Sequence, residues 1–160
     1  MIKKQPYNIT FESLYDMEAY IGKEFGLSDW MTIDQESINA FAKNTEDEQW
    51  IHIDPERCAK ESPYKKTIAH GFMVLSLASK LIYEVMTISD LTFGLNYGFD
   101  KVRFMNATVV DSRIRGRFSL LEFEKKDDKS AKYKMKIVFE IEGEEKPACV
   151  AEWLGMGYTA

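Results

Sequence analysis

Cysteine, histidine and proline are scarce in this chain of 160 residues. The two cysteines, Cys58 and Cys149, share neither a metal-ligand nor a redox spacing. A disulfide framework is therefore excluded, and a reducing compartment, the cytoplasm, is the simplest expectation. The amino terminus carries Lys3 and Lys4 but no apolar run behind them, which argues against a secretory signal. The longest apolar segment, Phe72 to Met86, is interrupted by Ser76, Ser79, Lys80 and Glu84. It falls short of the roughly 20 apolar residues a membrane span needs. An excess of positive charge is also lacking: 26 acidic against 21 basic residues give a net charge of −5. That balance weighs against a nucleic-acid binder that relies on bulk attraction. No ligand cluster offers a metal or redox cofactor a home, so none is expected. With no repeat, Pro-rich linker or low-complexity tract, residues 1–160 read as one domain.

What is present is an ordinary globular composition, 45% apolar and 13% aromatic, on a chain long enough to bury a core without staples. The pattern changes near residue 90. Phe11, Leu14, Tyr15, Ala19, Ile21 and Phe25 recur at spacings of three and four, predicting an amphipathic helix that Gly26 ends, within an amino-terminal helical extension over 1–27. Trp30 to Ile33 reads as a short strand, and Asp34 as the N-cap of a helix carrying Ile38, Phe41 and Ala42. Asp54-Pro55 starts a further short helix that Ser62-Pro63 stops. From Gly71 to about Met86 the spacing predicts a long helix, buried over most of its surface.

The second half alternates. In Tyr133, Met135, Ile137, Phe139 and Ile141 every odd position is apolar, the period of a half-buried antiparallel strand. Ile114, Gly116, Phe118 and Leu120 alternate with Arg113, Arg115 and Arg117 until the phase shifts at Leu120-Leu121, where a bulge is expected. Val102 and Phe104 belong to an earlier strand, and Ala148 to Tyr158 to the last. One long apolar helix followed by four antiparallel strands predicts an α+β domain, a sheet wrapped around that helix.

Both histidines fall within one stretch of 19 residues. His52 follows Asp47 by five positions, and His70 immediately precedes the apolar helix. Singly, each has a plain structural reading: a hydrogen-bonded core histidine, a solvated loop acid, and a turn in which Gly71 bends the backbone. The arginine row is most simply a solvated sheet face, with contact to coenzyme A phosphates as the alternative.

The combination is more specific. Asp47, four residues, His52, one residue, Asp54-Pro55, and later Ala69-His70-Gly71 together resemble the MaoC-like dehydratase family, most closely its NodN-like branch. Asn96-Tyr97-Gly98-Phe99-Asp100-Lys101-Val102-Arg103-Phe104 resembles the signature of that branch as well. The likeness covers about residues 28 to 158. It implies a hot-dog fold and (R)-specific hydration of trans-2-enoyl thioesters in fatty acid metabolism, with an Asp47–His52 catalytic pair. It further implies a Gly71 amide that polarises the thioester carbonyl and a positioning role for Ser79. His70 is placed beside the substrate, while Asn96 and Tyr97 are candidates either for lining the substrate channel or for structure. Where the family commonly has a small residue before the acid, this chain has Glu46.

The chemistry suits these residue types. An aspartate and a neutral imidazole can together hold and deprotonate one water, and amide donors can meet a developing enolate oxygen. The expected partners are an acyl thioester on coenzyme A or acyl carrier protein and a second copy of the chain, as a homodimer or a multiple of one, with neither nucleic acid nor membrane. A hot-dog acyl-CoA thioesterase and a non-catalytic acyl-thioester binding module are the alternatives.

Overall fold

A computed structural model describes residues 8–160; the first seven residues of the expected amino-terminal extension lie outside the described residues. The strands are β1 (Ile9–Phe11), β2 (Glu24–Leu27), β3 (Met31–Thr32), β4 (Met86–Ile88), β5 (Leu91–Phe104), β6 (Arg113–Lys125), β7 (Ser130–Ile141) and β8 (Cys149–Thr159). The α-helices are α1 (Gln35–Thr45), α2 (Trp50–Ile53), α3 (Pro55–Glu61), α4 (Gly71–Ser76) and α5 (Ala78–Val85), with a 3₁₀ helix over Leu14–Tyr20. Six strands form the main sheet in the order β2-β6-β7-β8-β5, with β3 beside β2 on the same edge of β6. Strands β5 to β8 pair antiparallel, and β1 pairs in parallel with β4 in a separate ribbon.

The period-two pattern places the core. Tyr133, Met135, Ile137, Phe139 and Ile141 of β7, with Ile114, Phe118 and Leu120 of β6, are buried in one cluster with Leu81, Ile82 and Val85 of α5. Burying each such side chain stabilises the fold by about 1.5–3 kcal/mol. The expected bulge is present as a register shift between Leu120 and Glu122 against β7. The sheet therefore wraps α5 in the hot-dog arrangement. The intervening arginines are paired across strands: Arg115 and Arg117 both reach Glu140, at 2.6 and 2.7 Å, Arg117 also reaches Glu24, and Arg113 reaches Glu142. These guanidinium groups are engaged in ion pairs, in keeping with the sheet-face reading.

Three expectations need correction. The helix expected over Phe11 to Phe25 is instead a short 3₁₀ helix between two strands. Gly26 is not its cap but lies in β2, where α5 passes so close that a Cβ would sit 2.6 Å from Val85 Cβ. Leu14 and Met17 are fully buried, and the Asp90 carboxylate accepts hydrogen bonds from Leu14 N and Ser13 Oγ, so this segment belongs to the core. The helix expected over Gly71 to Met86 is divided at Leu77. There the Leu77 amide is shared between the Met73 and Val74 carbonyls, while Ser76 Oγ donates to Met73 O. Such back-bonding weakens the regular ladder. Lastly, that helix is expected to be buried over most of its surface, yet Phe72 near its start is 70% exposed.

Candidate active site

Local structure carries both parts of the acid–imidazole pair. Asp34 caps α1 by accepting from Ser37 N, and the helix stops at Glu46, whose φ of 59° is left-handed. The chain then doubles back through Asp47 into the single turn of α2, which holds His52. Asp54 ends that turn and caps α3 by accepting from Arg57 N, so the His-x-Asp-Pro spacing places the histidine one turn before a new helix. Gln35 clamps this region to the next segment. Its Nε2 donates to His52 O at 2.8 Å while its Oε1 accepts from Thr67 Oγ1. Thr67 to Ala69 runs beside 108–110 through Ala69 N to Thr108 O and Val110 N to Thr67 O.

His52 is buried, and its Nδ1 lies 2.7 Å from the Ile68 carbonyl. Nδ1 therefore carries the proton and donates, leaving the Nε2 lone pair available as a base. Burial lowers the affinity of this imidazole for a second proton; the Ile68 carbonyl and Asp47 act in the opposite direction, and His70 adds to the lowering. His70, also buried, has Nε2 2.9 Å from the Asp47 backbone carbonyl. Its ring stacks on His52 with centroids 3.8 Å apart and planes 24° apart. An Asp47 carboxylate oxygen and one ring nitrogen from each histidine lie within 4.8 Å of one another. The carboxylate is on the exposed side and the two imidazoles on the buried side. A gap of this size suits one bridging water.

The same three groups suit a metal poorly. An ion must lie in the plane of each ligating imidazole, roughly 2 Å from its nitrogen. Two planes stacked this closely at so small a tilt meet only well beyond both rings.

Gly71 and His52 line one cavity of about 310 Å³, together with Tyr64, Phe104, Asn106 and Thr108. The backbone of Gly71 is not left-handed, so the turn reading of this glycine does not hold. What crowds this position is Phe104: a Cβ at residue 71 would sit 3.0 Å from its ring.

The remaining predicted residues lie elsewhere. Ser79 and Asn96 line a second cleft, of about 540 Å³, with Tyr83, Tyr133 and Trp153. Tyr97 is exposed on β5, with Lys132 Nζ 5.0 Å from its ring centre. Within one chain, then, Asp47, His52, His70 and Gly71 are neighbours, whereas Ser79 and Asn96 share a separate cleft and Tyr97 lies outside both, beside Lys132.

Three residues that hold or line this part of the molecule carry no mark in the sequence. Gln35 reads simply as the first residue after an N-cap. Thr108 is buried, and its hydroxyl has no hydrogen-bond partner among the described residues. Tyr133 reads as plain strand core, yet its phenol, pushed up to about 12 by burial, reaches the second cleft. No local pattern marks any of them.

Comparison with known proteins bears on what this arrangement does. Residues 16–141 match the family described as MaoC like domain. The chain is 46% identical over 143 residues to 3-hydroxyacyl-thioester dehydratase Z of Mycobacterium tuberculosis, covering 89% of this chain and 94% of that protein. It is equally similar, 46% over 143 residues and 89% of each chain, to nodulation protein N of Rhizobium leguminosarum bv. viciae. The crystal structure of a MaoC-like dehydratase from Rhodospirillum rubrum superposes with a TM-score of 0.73 at 18% identity, covering 92% of this chain and 97% of that one.

Proposed function

The chain belongs to the MaoC-like dehydratase family, and on that premise we propose that it hydrates trans-2-enoyl thioesters reversibly to (R)-3-hydroxyacyl thioesters, with Asp47 and His52 as its acid–base pair. Membership makes it a hydro-lyase of the hydratase and dehydratase kind. The observation that carries the finer reading is the convergence of the Asp47 carboxylate and the His52 imidazole beside a cavity that Gly71 also lines.

In the hydration direction, a water held between the Asp47 carboxylate and His52 Nε2 attacks C3 of the enoyl chain. His52 takes one of its protons, and the C2–C3 π pair moves through the conjugated system onto the thioester oxygen. As that enolate collapses, C2 receives a proton from the protonated pair, so the elements of one water are added and the pair returns to its starting state. The Gly71 amide supplies a donor to the enolate oxygen. The reaction needs no metal or redox cofactor; coenzyme A or acyl carrier protein serves only as the thioester carrier.

The same reading includes pairing of two chains. Strand β5 is 14 residues long and ends the main sheet, with Phe93, Leu95, Tyr97 and Phe99 all exposed. A long apolar edge of this kind favours pairing with a second copy. Among the described residues no helix is long and apolar enough to cross a membrane, and a cytoplasmic location belongs to the proposal.

Incubating the purified protein with short and medium trans-2-enoyl-CoA substrates tests the reading. The expected product is the (R)-3-hydroxyacyl-CoA, resolved by chiral chromatography. Release of free thiol would identify a thioesterase instead, and tight binding without turnover a carrier module.

A further inference from the structure

We propose that His70 is a positioning residue for the hydration reaction, an internal strut that holds the Asp47 loop and the His52 ring in register. The proposal rests on the Asp47–His52 reading and deepens it, because the His70 side chain is in contact with both. Its Nε2 meets the Asp47 carbonyl at 2.9 Å, its face lies on His52 with centroids 3.8 Å apart, and it packs against Phe41 at 5.0 Å.

The tautomer follows from the partner. A carbonyl only accepts, so Nε2 of His70 bears the hydrogen and donates it. Its Nδ1 is buried and has no hydrogen-bond partner among the described residues. A histidine kept only to fill space would be a poor choice here, since a phenyl ring packs equally well and leaves no polar atom unpaired. The donor to Asp47 is what a hydrocarbon ring lacks.

That donor matters because of where Asp47 lies. It follows Glu46, the left-handed residue that ends α1, and its side chain is exposed. Nothing about a short exposed loop holds a carboxylate at a set distance from a buried imidazole. Tying the carbonyl of the same residue to a ring stacked on that imidazole does so. The stack and the hydrogen bond therefore fix two coordinates of one reacting pair. His70 itself is not among the residues that line the His52 cavity, so it acts through its neighbours.

The test uses His70→Phe, which keeps a ring in the stack without the donor, and His70→Gln, whose amide nitrogen takes the place of Nε2. With an enoyl-CoA substrate, His70→Phe is expected to lower kcat by about tenfold or more with KM within about twofold, and His70→Gln to recover most of the loss. Thermal midpoints are measured alongside. Full activity of His70→Phe, a loss in His70→Gln equal to that in His70→Phe, or losses that merely follow the thermal midpoints would each overturn the proposal.

A second readout needs no turnover. Nitrogen-15 spectra of the free protein should show His52 as the Nδ1–H tautomer and His70 as the Nε2–H tautomer. The Asp47 carbonyl carbon signal should shift in His70→Phe and return toward its original position in His70→Gln. If the wild-type protein turns over no enoyl thioester, the functional reading fails while this pattern persists. If the pattern itself is missing, the strut is wrong whatever the activity.

Discussion

His52 donates a hydrogen bond from Nδ1–H to the Ile68 carbonyl at 2.7 Å, and this single contact decides which nitrogen of the ring is free to act as a base. Ile68 lies on the segment that leads to Gly71, so one hydrogen bond joins the base to the approach to the cavity floor. His52→Ala and Asp47→Asn are each expected to lower turnover by about 10²-fold or more while leaving the fold intact. Steady-state kinetics with circular dichroism check this, and near-wild-type hydration by either folded variant would remove the pair from the mechanism.

Burial holds the His52 imidazole below the ordinary histidine value of 6.5. Above that value the ring is neutral in both the folded and the unfolded chain and contributes no pH dependence. As pH falls through it, the unfolded chain takes up a proton that the folded chain resists, so stability is lost. Urea unfolding from pH 7.5 to 5.5 should therefore show a smaller decline in His52→Gln than in the wild-type protein. The acid limb of kcat/KM should likewise fall at a pH below that of a free imidazole.

Gly71 and Phe104 are the second coupled pair. A methyl group at position 71 would press on a ring that is itself half exposed and can swing away, so Gly71→Ala should melt within a few degrees of the wild-type protein. Its activity should drop to an intermediate level, and Gly71→Val should lose more, because each added atom intrudes on the cavity that His52 lines. Full activity of both variants would exclude the Gly71 amide as the oxyanion donor.

Glu46 occupies a left-handed conformation, φ 59° and ψ 18°, that asparagine adopts more readily. Glu46→Asn should stabilise the fold by up to about 1 kcal/mol. A denaturation midpoint unchanged or lowered would contradict this.

The uncovered edge of β5 leads to an expectation about assembly. Sedimentation at micromolar concentration should give a dimer or a multiple of one, and Tyr97→Lys with Leu95→Glu should weaken it. A stable wild-type monomer would refute the pairing.

Much of this was legible along the chain. The alternation from Tyr133 to Ile141, the slip at Leu120, the caps at Asp34 and Asp54 and the five-residue step from Asp47 to His52 are local relations, spanning a turn or a strand, and one sequence displays them directly. Over residues 11–25 the structure departs from the expected helix because Leu14, Met17 and Phe25 have helical spacing for another reason. They are buried by a 3₁₀ turn and a strand, and Gly26 serves the close passage of Val85 rather than a helix end.

Residue types and their short-range spacing thus determined the α+β class and the sheet around a helix, and the family resemblance they carry marked the candidate acid and base. Tertiary structure alone decided the tautomer of His52, the stacking of His70 and the clamp by Gln35. It also separated Ser79 and Asn96 from the histidines within the chain. The reason is physical: these contacts join residues 16, 18 and 32 positions apart, and their geometry is set by where the core lets the intervening segments return, which no periodicity records.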